Sequence, residues 1–237
     1  MLKIVNFSKR YGNNKKKAVD NLSLEVKKGE IFGFIGHNGA GKTTTIKSIV
    51  GIIDFNEGDI LVNGLSIKDN EIECKKVISY IPDNPDIYGS LTGIGYLNFI
   101  ADIYGVSQEI REKLISKYAN IFEILPNLGD LISTYSHGMK QKLIIISALI
   151  HSPKLLVLDE PFVGLDPIAS HNLKDIMKDL CKEGSAIFFS SHVLEIVEKL
   201  CDKVGIIKDG KLVKVGTVSE IKGDKSLESI FLEIEKV

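Results

Sequence analysis

The sequence carries no excess of charge of either sign, since 30 Lys plus Arg stand against 31 Asp plus Glu. A protein that grips a nucleic-acid backbone needs a basic face that outweighs its acids, so nucleic acid is not expected as a partner. Arginine is nearly missing, with only Arg10 and Arg111. Cysteine is scarce, and Cys74, Cys181 and Cys201 lack the close spacing of a metal or redox pair. Isolated thiols in a reducing compartment are therefore expected. No apolar run approaches the roughly 20 residues that a membrane helix needs; Leu143 to Ile146 is among the longest. Met1 to Phe7 has no long apolar core of the kind that marks a signal peptide. Repeats, linkers and low-complexity tracts are missing too. A chain of 237 residues with 44% hydrophobic and 26% charged content is thus expected to fold as one soluble globular unit.

What is present is an alternation of short Ile/Val/Leu-rich runs with longer segments of helical period, the pattern of a largely parallel sheet covered by helices. Strands are expected at Leu2 to Phe7, Leu22 to Val26, Ile31 to Ile35, Val77 to Ile81, Leu155 to Leu158, Ala186 to Phe189 and Val204 to Ile207. Between Asp83 and Tyr135 the strand signal stops, and Thr92 to Tyr104 and Gln108 to Leu125 read as helices inserted into the α/β body. Asp209-Gly210 between two apolar runs predicts a tight hairpin. Leu227, Ile230, Phe231 and Ile234 share one face of a terminal helix that should dock on the body. The run Lys15-Lys16-Lys17 is expected to be a solvated loop.

Gly36-His37-Asn38-Gly39-Ala40-Gly41-Lys42-Thr43 fits G-x-x-x-x-G-K-[ST] between an expected strand and an expected helix. Such a loop aims successive backbone N–H groups at phosphate oxygens, and the helix dipole adds positive potential. Lys42 supplies a charge for the β and γ phosphates, Thr43 a hydroxyl for Mg²⁺, and His37 serves through its backbone. Downstream, Leu155 to Leu158 ends in Asp159-Glu160. Acids at the carboxyl end of a buried strand face the ligand crevice of an open α/β sheet. Asp159 suits Mg²⁺ and Glu160 suits the general base that polarises water. Taken alone, the pair could also start a turn, with Pro161 ending the strand.

Tyr135-Ser136-His137-Gly138-Met139, upstream of Asp159, completes a set that resembles the ABC ATPase family over essentially the full length. The family's signature is usually L-S-G-G-Q; Ser136 and Gly138 are retained, while Tyr135, His137 and Met139 depart from it. A capped helix running to Ile150 can still direct a hydroxyl, N–H groups and its dipole at phosphate. The resemblance implies a P-loop NTPase core with a largely parallel sheet, an N-terminal antiparallel β portion and a helical subdomain at about 84–152 within one domain, 1–237.

It also implies residue roles. ATP is expected on Gly36, His37, Asn38, Gly39, Ala40, Gly41, Lys42, Thr43 and Thr44, with Tyr11 stacked on adenine and Mg²⁺ near Thr43 and Asp159. Glu160 and His192, of Ser190-Ser191-His192, are the implied catalytic pair. Gly164-Leu165-Asp166 matches a segment linking two sites. Ser136, His137, Gly138 and Met139 are implied to cover the ATP of an opposite subunit, either a second copy or a homologous ATPase. Asp83 stands where the family usually has Gln; it is shorter and charged, yet still a hard oxygen ligand able to approach Mg²⁺.

Pro82-Asp83-Asn84-Pro85 through Tyr88 and Leu91-Thr92-Gly93, with Tyr135 to Met139, resembles the branch that serves drug, antibiotic or peptide exporters. A separate membrane permease is then the partner, and the chain's place is cytoplasmic, on the inner face of the membrane. The rival readings are an ABC ATPase without a permease, an unrelated P-loop kinase or GTPase, and a regulator without catalysis. The first would carry a long coiled-coil insertion or two cassettes, the second an acceptor or guanine-reading motif, and the third would lack Glu160 and His192.

Overall fold

The structure is a computed structural model that describes residues 1–12 and 16–236. Strands β1 (Leu2–Lys9), β2 (Val19–Val26), β4 (Glu57–Val62) and β5 (Leu65–Ser66) form an antiparallel sheet in the order β2-β1-β4-β5. A second sheet runs β10-β9-β3-β8-β7-β6, built from β3 (Ile31–Ile35), β6 (Ile78–Ile81), β7 (Leu155–Asp159), β8 (Ala186–Ser190), β9 (Lys203–Lys208) and β10 (Lys211–Thr217). All its pairings are parallel except β9 with β10.

Every residue of β3, β7 and β8 is buried, as parallel strands covered on both faces must be. Their side chains alternate between two cores. Leu155, Val157 and Phe188 join Phe32 and Phe34 under the antiparallel sheet, while Leu156, Leu158, Ile187 and Phe189 face the helices. Gly33 is needed on β3 because a Cβ there would lie 2.6 Å from Val197 Cγ1 and 2.9 Å from Cys201 Sγ, both belonging to the helix α7 (Leu194–Leu200) region that packs on it. The thiols of Cys74, Cys181 and Cys201 are all free, and burial pushes each thiol up, Cys181 to about 12.

Helices α1 (Lys42–Ile49) and α2 (Glu71–Val77) lie among the first strands, and α6 (Pro167–Lys182) follows β7. Between β6 and β7 the described residues form helices only: α3 (Gly93–Ile103), α4 (Gln108–Ile121) and α5 (His137–Leu149), with two short 3-10 turns. His151, just past α5, joins this layer to the sheet. Its ring stacks on Tyr104 with centroids 3.6 Å apart, and its Nε2 lies 2.9 Å from Ser79 Oγ on β6. Short α8 (Val218–Lys222) leads to α9 (Leu227–Lys236), which buries Leu227 and Ile230.

Three local readings need adjustment. Val77 closes α2 rather than opening β6, although its carbonyl accepts from Lys154 N at 2.9 Å, next to the Ile78–Leu155 pairing that starts the ladder. Strand β4 opens with the exposed polar stretch Glu57 and Gly58 and buries only Ile60 and Val62, so it shows no apolar run. Lys17 is not merely solvated; it bridges Asp20 at 3.0 Å and Glu57 at 2.9 Å, while Lys16 reaches Asp209 and Lys15 lies outside the described residues. The Asp209-Gly210 hairpin has φ of 49° and 80°, the two positive values that a type I′ turn requires.

Among the described residues, no helix is long and apolar enough to cross a membrane.

Candidate nucleotide site

The loop Gly36 to Gly41 leaves the buried end of β3 and delivers the chain into α1. Gly41 is the N-cap of that helix, at φ 112°, and no side chain caps it. An added Cβ would lie 2.7 Å from Ala18 O, so the position excludes other residues on both counts. The first N–H groups of α1 are left facing outward, as an anion site needs. Lys42 is buried and folds back under the loop, donating from Nζ to Gly36 O at 2.7 Å and His37 O at 3.2 Å. Desolvation pulls its ammonium below the usual lysine range, and the nearby Glu160 and Asp159 carboxylates oppose that.

The next strands supply the acids. Asp159 and Ser190 are register partners at the ends of β7 and β8. Ser190 Oγ donates to Asp159 Oδ1 at 2.5 Å and accepts from Glu160 N at 3.1 Å. One hydroxyl thereby fixes both acids. Asp159 is 1% exposed, and its Oδ2 is buried without a hydrogen-bond partner. Burial pushes its carboxyl up, and the Asp83 and Glu160 charges add to that, while Ser190 and Thr43 hydroxyls pull the other way. A carboxylate in this state is stabilised by a cation. Glu160 itself sits at φ 49°, a conformation rare for a non-glycine residue at the end of a strand. Its Oε2 meets His192 Nδ1 at 2.9 Å and accepts from His192 N at 3.3 Å.

Glu160 and His192 line a cavity of about 460 Å³ with Gly36, His37, Asn38 and Asp83, while Lys42, Thr43, Asp159 and Ser190 are not part of its wall. A neighbouring cavity of about 420 Å³ holds Tyr11, Lys16, Ala18, Gly39 and Gly210. The loop borders both, with Gly36, His37 and Asn38 on the first and Gly39 on the second. Tyr11 is 44% exposed; its hydroxyl lies 3.3 Å from Thr44 Oγ1, and Lys9 Nζ sits 5.2 Å from its ring centre. Ser136 to Met139 line neither cavity. Ser136 instead caps α5, its Oγ accepting from Met139 N at 3.2 Å. The His137 ring lies against Gly164, with Cδ2 2.6 Å from where a Cβ would be, and Lys142 pairs with Asp166 at 2.7 Å.

The donors also meet the chemistry of Mg²⁺, since Asp159 Oδ2 lacks a partner and the Thr43 hydroxyl lies beside that carboxyl. Both are hard oxygen ligands. Among the described residues no cluster of three His, Cys, Asp or Glu forms a metal site by itself. Phosphate oxygens would complete the set.

Sequence reasoning placed Ser190 only inside a motif and gave it no task; its signal was a serine ending a buried strand beside the acidic one. Val163, Leu194 and Phe231 also line the cavity of about 460 Å³, and no motif in the sequence marks them as site residues.

A family model described as "ABC transporter" matches residues 19–163. The chain belongs to the ABC transporter family. As an ABC ATP-binding protein it is 37% identical over 221 residues to the linearmycin resistance ATP-binding protein LnrL of Bacillus subtilis (strain 168), covering 93% of this chain and 70% of that one. It is 40% identical over 215 residues to the bacitracin transport ATP-binding protein BcrA of Bacillus licheniformis, covering 90% and 69%. A solved ATP-binding subunit of an ABC transporter superposes with TM-score 0.95 at 32% identity, covering 99% of both chains. The fold is therefore that of an ABC ATPase, with an α/β P-loop core.

Proposed function

We propose that this ABC ATPase hydrolyses Mg-ATP to drive a separate membrane permease, and that two cassettes close on two nucleotides to do so. The observation that carries the reading is the Glu160–His192 pair at 2.9 Å on the edge of the cavity beneath the phosphate loop. Glu160 takes a proton from a water aligned with the γ-phosphorus, His192 holds the Glu160 carboxylate and the water in line, the water oxygen bonds to that phosphorus, and the bond to the β–γ bridging oxygen breaks with its electron pair leaving on ADP, giving ADP and phosphate. Lys42 and the N–H groups at the start of α1 offset the charge on the phosphate oxygens. Thr43 and Asp159 would hold Mg²⁺, and Asp83 of the same cavity would face it; the ion would supply positive charge against that of the phosphates.

Tyr11 stacks on the adenine, next to Gly39 and the 209–210 turn. Ser136 to Met139 lie outside both cavities of their own chain, which supports their use on the nucleotide of another copy. The helices of 84–152 form the subdomain that meets the permease, and the chain works from the inner face of the membrane. Export is the favoured direction because LnrL and BcrA carry resistance and bacitracin transport in their names.

Glu160→Gln tests this directly. Turnover should fall by roughly two to four orders of magnitude, the worth of a general base, while ATP still binds and holds a dimer together. Turnover at the wild-type level in that variant would remove the assignment.

A further inference from the structure

The terminal helix does more than cover the core. Phe231, on α9, lines the same cavity as Glu160, His192, Val163 and Leu194. Helix α9 is anchored at both ends. Leu227 N donates to Glu198 Oε2 at 3.0 Å, and Lys208 Nζ donates to Ile234 O at 2.8 Å and Glu235 O at 3.4 Å. A lysine at helix carbonyls also complements the negative end of the dipole. Lys208 ends β9, the parallel neighbour of the strand that leads into the phosphate loop. Glu198 belongs to α7, against which α9 packs, and α7 starts two residues after His192. The docked helix is thus tied to both the loop side and the histidine side of the cavity.

The histidine needs such support. The His192 side chain is 59% exposed, and among the described residues its ring makes one hydrogen bond, to Glu160 Oε2. An exposed imidazole with one partner visits other rotamers unless something fills the space beside it.

We propose that Phe231 is a positioning residue for hydrolysis: together with Leu194 and Val163 it forms an apolar wall that confines His192 against Glu160 and limits water around the pair. This rests on the reading of Glu160 and His192 given above. It assigns to α9 a part in the chemical step at the phosphate end of the site, whose cavity also includes Gly36, His37 and Asn38, and none on the side of Tyr11, Gly39 and Gly210, which line a different cavity.

The test is steady-state ATPase of the full chain with three substitutions, beside binding of a fluorescent ATP analogue. Phe231→Ala should lower kcat by about 10-fold, the scale of a modest misplacement of catalytic groups, with KM and analogue affinity changed by less than about twofold. Phe231→Leu, which keeps apolar bulk, should recover most of that rate. Leu232→Ala, on the exposed side of the same helix, should match wild type. In NMR of the unlabelled-nucleotide-free protein, the His192 ring signals should move in Phe231→Ala and stay in Leu232→Ala. The idea is overturned if Phe231→Ala keeps wild-type kcat, if Leu fails to rescue it, if Leu232→Ala loses as much, or if affinity falls with rate. Wild-type protein without Glu160-dependent turnover would remove the underlying reading; normal wild-type turnover with an indifferent Phe231 would remove this inference alone.

Discussion

The proposed function puts two helix N-termini to work on phosphate, and they are built in opposite ways. Helix α1 starts at Gly41 with no side-chain cap, and its buried lysine is turned inward onto Gly36 O and His37 O. Helix α5 starts at exposed Ser136, whose hydroxyl already serves Met139 N. The first is an open anion site held ready by the fold. The second is satisfied within its own chain, so a phosphate must share or displace a hydrogen bond that exists without it. One end is therefore suited to holding nucleotide in a single subunit, and the other to a contact made only when a second subunit arrives.

The strongest way to break this contrast is Lys42→Met. Removing a charged hydrogen-bond donor is worth about 1.5–3 kcal/mol, so ATP affinity measured by calorimetry should fall roughly 10- to 100-fold. If Ser136→Ala weakened ATP binding to the isolated subunit equally, the two termini would not differ as described.

The far end of α5 offers a check of intermediate size. Burial pulls the His151 imidazole down to about 4, against Tyr104 on one side and Ser79 on the other. An unfolded histidine titrates near 6.5. Above that pH the neutral ring stabilises fully; as pH falls toward about 4 the unfolded chain binds a proton that the folded one refuses. Stability should drop across that window by at most about 3 kcal/mol and then level off for this group. His151→Asn should flatten the pH dependence of thermal unfolding between those limits, which would show that α5 is held at its buried end and free at its polar one.

Ser136→Ala is the smallest expected change. It should cost about 1 kcal/mol of stability through the lost cap, read by thermal unfolding. ATP binding by the isolated subunit should stay as in wild type, and ATP-driven dimerisation followed by sedimentation should weaken by about 10-fold for each of the two sites that loses a hydrogen bond to a charged group.

How far the sequence reveals this arrangement depends on whether the chemistry is contiguous. The phosphate loop is legible because glycines, Lys42 and Thr43 must follow one another between a strand and a helix. The strands β3, β7 and β8 are legible because burial on both faces makes them continuously apolar. The hairpin at Asp209-Gly210 is legible because few residue pairs tolerate two positive φ angles. By contrast, Ser190 gains its task from strand register, which places it beside Asp159, and no local pattern encodes that pairing. Phe231 reads as one more apolar position on a docking helix, and only the packing of α9 brings it to the cavity. Strand β4 is hidden by its polar start.

The close approach at Gly33 has a use of its own. Cys201 Sγ fills the space that a β3 side chain would take, and burial holds its thiol well above the usual range. Reaction with a disulfide reagent needs an exposed thiolate, so this half-buried sulfur should react slowly while α7 stays seated. Its labelling rate is then a clock for how often the segment behind His192 lifts from the sheet, and slowing of that clock by ATP would report that segment being held shut without any engineered probe.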